Sequence, residues 1–242
     1  MKPSWSALLA VAFVVACESP TALRSFRSAV DDSGVPPALR AAYFEDASRL
    51  ALRDLLRMGF GQISIPRESV QPYYDALVLV YNATPLPARD TVVDVYAIHT
   101  FPNPTTRSLL LQLLGSEPWV QRLARGEIPT GEQTVDDLLA RYSLSLGSVY
   151  TMHDGDILLT LGSQEPLNIR ALAPLFGEIR GVRFSEPNGA VGDGNDIAAS
   201  IGSSRVLLNY SFGSGDCPAG CTERRFYRFA VSAAGTVKFL GN

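Results

Sequence analysis

The hydrophobic period of this chain changes along its length, and that change limits the folds open to it. Over residues 37–81 the apolar positions recur every three or four residues, the repeat of a helix buried along one side. Leu39, Tyr43, Ala47 and Leu50 set the stripe of a first helix over 37–58, and Leu52, Leu55 and Leu56 widen it. Val70, Tyr73, Tyr74, Leu77 and Tyr81 set a second helix over 66–81. In the last third the repeat is two. Val206, Leu208, Tyr210 and Phe212 alternate with Leu207, Asn209 and Ser211, and Tyr227, Phe229 and Val231 alternate with Arg228 and Ala230. Such alternation suits an antiparallel sheet with one covered face. N-terminal helices, a mixed helix and strand region, and a C-terminal antiparallel sheet together define an α+β fold.

The middle of the chain mixes both periods. The β-branched and aromatic run 91–101 reads as a strand, and 108–114 as a buried strand or a short helix. Helices are expected after Ser116 and from Thr134, the second with Val135, Leu138, Leu139 and Tyr142 as its buried face. Segments 146–152 and 157–161 flank Asp154-Gly155, a strong hairpin signal. A helix over 167–176 should stop at Gly177, with a strand at 182–185 after it. The strands 197–201, 205–212, 222–232 and 236–240 finish the chain. This is one α+β domain over 37–242, with a candidate sub-boundary near 85–90.

A hydrophobic content of 46% against 19% charged residues describes a core-forming chain rather than a disordered one. The formal net charge of −3 argues against nucleic acid as a partner, because neutralising phosphates requires a basic surface.

The N-terminus carries an export pattern. Lys2 supplies a positive start, Ala7–Val15 is apolar but too short to span a bilayer, and Ala16 is a small residue at a cleavage point. Val14-Val15-Ala16-Cys17 resembles the lipobox of bacterial lipoproteins. That resemblance covers the first 17 residues and implies removal of 1–16 as a signal peptide and acylation of Cys17. Residues 17–36 would then be a lipidated tether, and the protein a membrane-anchored constituent of the cell envelope. Glu18, in place of an aspartate after the lipidated cysteine, leans toward the outer membrane. The alternative is an ordinary secretory signal with a chance cysteine. The implied partners are the membrane, through lipid, and envelope or secreted proteins. No cofactor is expected. With Cys17 acylated, Cys217 and Cys221 remain, bracketing the turn-forming trio Pro218-Ala219-Gly220. A disulfide that shapes the loop is the plainest reading, beside a metal site or a redox pair.

Three constellations could carry chemistry. Gly192-Asp193-Gly194-Asn195-Asp196 is rich in oxygen donors and partly resembles the calcium-binding nonapeptide of RTX β-rolls, although Val191 stands where that motif has a glycine. Asp193, Asn195 and Asp196 are the candidate ligands, and a tight turn is the competing reading. His153, Asp154 and Asp156 place an imidazole and two carboxylates at one hairpin tip, a candidate for acid–base hydrolysis that also satisfies turn chemistry. Arg224, Arg225 and Tyr227 interleave cations and aromatics as recognition surfaces do, or form an amphipathic strand with solvated arginines. His99, on the apolar face of the expected strand 91–101, reads as a satisfied core histidine.

Two resemblances remain. Gly215-Asp216-Cys217-Pro218-Ala219-Gly220-Cys221, with the residues up to Val231, resembles a segment of uncharacterised secreted bacterial proteins. Residues 172–188, from Leu172-Ala173-Pro174 to Glu186-Pro187-Asn188, are similar to the helix-to-strand part of subtilase propeptides, small α+β inhibitors of their proteases. The functional expectation is therefore a non-catalytic binding or structural role in the envelope. A peptidase inhibitor and a hydrolase built on His153 are the alternatives.

Overall fold

Helix α1 (Pro37–Arg57) opens on a proline at its first turn, where a missing N–H costs no helical hydrogen bond. Helix α2 (Arg67–Asn82) follows, and α3 (Pro87–Asp90) runs directly into a single π turn, Thr91–Val95. Strand β1 (Ser108–Leu113) precedes α4 (Pro118–Ala124) and α5 (Gln133–Arg141), whose N-terminus is capped by Glu132 accepting from the Thr134 N–H. Strands β2 (Leu144–Thr151) and β3 (Ile157–Ser163) form the expected hairpin. Its tip uses Gly155 at φ +86°, a left-handed conformation that glycine adopts without strain. Helix α6 (Ile169–Gly177) is capped by Asn168 and leads to β4 (Val182–Pro187). Strands β5 (Asp196–Ile201), β6 (Arg205–Ser214), β7 (Glu223–Ser232) and β8 (Val237–Gly241) close the chain. These elements come from a computed structural model, which describes residues 30–242. The expected signal peptide, Cys17 and most of the tether lie outside the described residues.

The elements pack into two bodies. In the first, β5–β8 form a sequential antiparallel meander. Its inner side, with Ile197, Val206, Leu208, Tyr210, Phe229 and Val231, buries the apolar stripes of α1 and α2. The second body takes the chain between. Its four strands lie in the order β2-β3-β1-β4, all antiparallel, which is the arrangement of a split β-α-β unit. Helices α4, α5 and α6 cover one side of that sheet, where Leu109, Leu111, Leu113, Leu159 and Leu161 meet Val120, Leu123, Val135, Leu172 and Phe176.

Two expectations need correction. Residues 91–101 are not a strand. Val92 is buried but Val95 is 70% exposed, and both sheets are complete without this run, so its β-propensity finds no partner. The sub-boundary does not lie at 85–90 either, because Leu86 and Ala88 pack on the first core and Pro87 starts α3. The chain instead leaves the first body after Phe101 and returns to it before Asp196. The second body is an insertion.

Candidate functional site

The insertion is held by α1. Arg53 donates to the carbonyls of Phe101, Asn103 and Ile197 and to the carboxylate of Asp196, so one guanidinium ties the outgoing and returning chain together. Two turns earlier on α1, Glu45 accepts from Thr106 and pairs with Arg107 and Arg49. Asp46, only 1% exposed, accepts at Oδ1 from the Thr100 N–H (2.8 Å) and the Thr100 hydroxyl (2.6 Å). Its Oδ2 lies 2.6 Å from His99 Nδ1. The His99 pKa is raised by that hydrogen bond, against the opposing effect of burial. Desolvation pushes the neighbouring Tyr43 hydroxyl up. Between the π turn and His99, Ala97 sits at φ +43°, a left-handed conformation that a residue with a Cβ rarely takes.

Irregular backbone of this kind clusters at functional sites, and an imidazole oriented by a buried carboxylate is half of a catalytic apparatus. The other half is not here. Among the described residues, no hydroxyl or thiol hydrogen-bonds to the second nitrogen of His99, and the nearby Thr100 hydroxyl is spent on Asp46. The network fixes the passage of residues 96–103 across α1. Sequence reasoning read His99 as satisfied and missed what satisfies it. The available signal was Asp46 itself, a carboxylate beside Tyr43, Ala47 and Leu50 on an otherwise apolar stripe.

The cysteine loop is equally closed on itself. Cys217 and Cys221 are joined by a disulfide. The Asp193 N–H donates to Cys217 O (3.0 Å), and the Cys221 N–H donates to Asp193 Oδ2 (3.2 Å). Arg224 closes on the Asp193 carboxylate and donates to Ser211 Oγ at 2.9 Å. The Arg224 guanidinium, with the Gly194 and Cys221 N–H groups, holds the Asp193 carboxyl below the usual carboxylate range. The three candidate calcium ligands therefore diverge. Asn195 Oδ1 accepts from the Gly213 N–H, and Asp196 turns to Arg53 and the Phe101 N–H. Oxygens committed to N–H donors are not a cation cage. Among the described residues, no group of three or more His, Cys, Asp or Glu side chains is placed to hold a metal ion.

At the β2–β3 tip, Asp154 accepts from the Asp156 N–H. The buried Asp156 carboxylate turns to Gln112 Nε2 (3.0 Å) and Arg183 Nε (2.9 Å). His153 is exposed and, among the described residues, hydrogen-bonds to neither aspartate. The arginine–aromatic strand is split by the pleat. Tyr227 is buried beside Tyr96, with ring centroids 6.3 Å apart, Arg224 is committed to Asp193, and Arg225 is exposed.

What the fold leaves uncovered is one side of each sheet. The inserted sheet shows Tyr150 (66% exposed), Leu158, Gln112 and Phe184 in one cross-strand row, with Thr160, Leu110 and Glu186 in the next. The meander shows Phe226, Arg228, Leu207 and Leu240. There Ala198, Ser200 and Asn209 floor a shallow trough of about 250 Å³. Among the described residues, no helix is long and apolar enough to cross a membrane. No family model matches the chain, and neither a curated protein nor a solved structure matches it.

Proposed function

We propose that this chain is a cell-envelope lipoprotein, anchored through Cys17, whose folded body serves in binding or structure rather than catalysis. The observation that carries the reading is the contrast between closed polar clusters and open sheet faces. Asp46, Asp193 and Asp156 are each spent on hydrogen bonds within the fold. Tyr150 and Phe184 project instead from a four-stranded sheet that no helix among the described residues covers on that side. Exposed aromatics on a rigid sheet are what a recognition surface requires.

Complementation of a deletion in the native host is the test. The reading expects His153→Ala and His99→Gln chains to restore the wild-type phenotype. Cys17→Ser and the double variant Tyr150→Ser, Phe184→Ser should fail while remaining folded. Loss with His99→Gln or His153→Ala, at unchanged protein level, would point to an enzyme instead.

One observation favours a second reading. The propeptide-like stretch 172–188 folds as most of α6 and all of β4, and β4 is an edge strand carrying exposed Phe184. An edge strand can add to another protein's strand. A panel of subtilisin-type proteases uninhibited by the chain would remove the inhibitor reading.

A further inference from the structure

The uncovered side of the meander carries charge of one sign. Strand alternation puts Arg205 and Leu207 of β6, Phe226 and Arg228 of β7, and Lys238 of β8 on the side away from the helices. Asn209 pairs with Arg228 there, Leu207 with Ala230, and Ala230 with Lys238. Among the described residues, none of Arg205, Arg228 and Lys238 forms an ion pair with a carboxylate side chain. Arg228 donates one N–H to the main-chain oxygen of Asn242 at 3.0 Å, which takes up part of its hydrogen-bonding capacity. Among the described residues, the one acidic side chain at a strand position of this side, Asp196, turns away to Arg53. A fourth cation, Arg224, is neutralised by Asp193. Between Arg205, Arg228 and Lys238 stand Phe226 and Leu240, 41% and 52% exposed. In a chain of net charge −3 this is a separation of charge.

We propose that this face lies against an anionic lipid surface, its cations over the headgroups and Phe226 and Leu240 at the headgroup layer. The proposal rests on the lipid-anchored reading above. Its cations are spread over three strands rather than gathered round one point, which suits an extended anionic plane better than a single ligand. A second copy docked face to face would set arginine against arginine. The tether can reach. The thirteen residues from Cys17 to Val30 span up to about 45 Å when extended, and the body beneath is one sheet and one helix layer of about 10–12 Å. Each cation near an anionic bilayer multiplies partitioning by about five, and three by about a hundred. On its own that is a weak hold, measurable against a large excess of anionic lipid. It is enough to orient a body already tethered, leaving the inserted sheet free.

The chain beginning at residue 17 and carrying Cys17→Ser, with and without Arg205→Gln, Arg228→Gln and Lys238→Gln together, is titrated with two kinds of vesicle. One is phosphatidylcholine alone and the other is rich in phosphatidylglycerol. The triple change should weaken partitioning into the anionic vesicles about a hundredfold and leave the neutral vesicles unaffected, and raised salt should erase the difference. The single Lys238→Gln change, on an edge strand, should weaken it about fivefold and serves if the triple variant does not fold. Equal partitioning of variant and parent overturns the proposal, as does tighter binding to polyglutamate than to anionic vesicles. Acylation is absent from this assay by design. A chain found unlipidated in its host would therefore remove the anchor, and the vesicle result would stand or fall separately.

Discussion

The two bodies solve the same packing problem with different chemistry. The inserted body is built on leucine: Leu109, Leu111, Leu113, Leu159 and Leu161 line one side of its sheet, and three helices close over them. The helix–meander body buries apolar stripes as well, but α1 also carries Glu45, Asp46, Arg49 and Arg53 into its joint with the insertion. A leucine core fixes burial without fixing which chain segment crosses where. A carboxylate with three fixed donors does fix it, at the risk that any missing partner leaves a buried group unsatisfied. The open faces differ too. The inserted sheet shows uncharged aromatics and Glu186, whereas the meander shows cations.

If that contrast is right, Asp46→Ala should be the most damaging change. Removing it leaves the buried Thr100 N–H and hydroxyl without their acceptor, at about 1–3 kcal/mol each, and frees the partly exposed His99. Urea unfolding would show the loss in the helix–meander body. Leu111→Ala strikes the other body by opening a cavity, costing about 2–5 kcal/mol, with no effect on the pH dependence of stability. Breaking the Cys217–Cys221 bridge with Cys217→Ser should cost about 2 kcal/mol by loop entropy, read as a lower thermal midpoint in the helix–meander body. Tyr150→Ser, on the open face, should leave stability within about 0.5 kcal/mol while abolishing complementation together with Phe184→Ser.

Protonation sharpens the contrast further. His99 has a raised pKa in the folded state, so the fold binds its proton more tightly than the unfolded chain does. The stability from that contact is full below the unfolded value of about 6.5 and is lost as pH rises through the higher folded value. The difference in unfolding free energy between wild type and His99→Gln should therefore shrink from pH 6 to pH 9. A difference that grows with pH would mean that the imidazole is held neutral.

Elements with one clear period and a marked turn were legible in the sequence. Helices α1 and α2, the hairpin at Asp154-Gly155 and the four-strand meander are all local, so a window of a dozen residues holds their signals. The order β2-β3-β1-β4 was not legible, because β1 pairs with strands some fifty and seventy-five residues away and no local residue encodes that choice. Residues 91–101 misled because β-branched residues report a tendency to pair, not the presence of a free edge. Around the joint, Asp46 was visible as a carboxylate on an apolar stripe, yet its partners His99 and Thr100 lie more than fifty residues on. The cationic face was hidden by the net charge of −3 and emerges only once strand register sorts Arg205, Arg228 and Lys238 to one side.

The most direct test of the central claim is the non-reduced intact mass of the protein extracted from membranes of its own host after thiol alkylation. An anchored, loop-pinned envelope protein predicts a chain beginning at Cys17 with a diacyl or triacyl increment and no alkylated thiol. An unlipidated chain with alkylated Cys217 and Cys221 would contradict it.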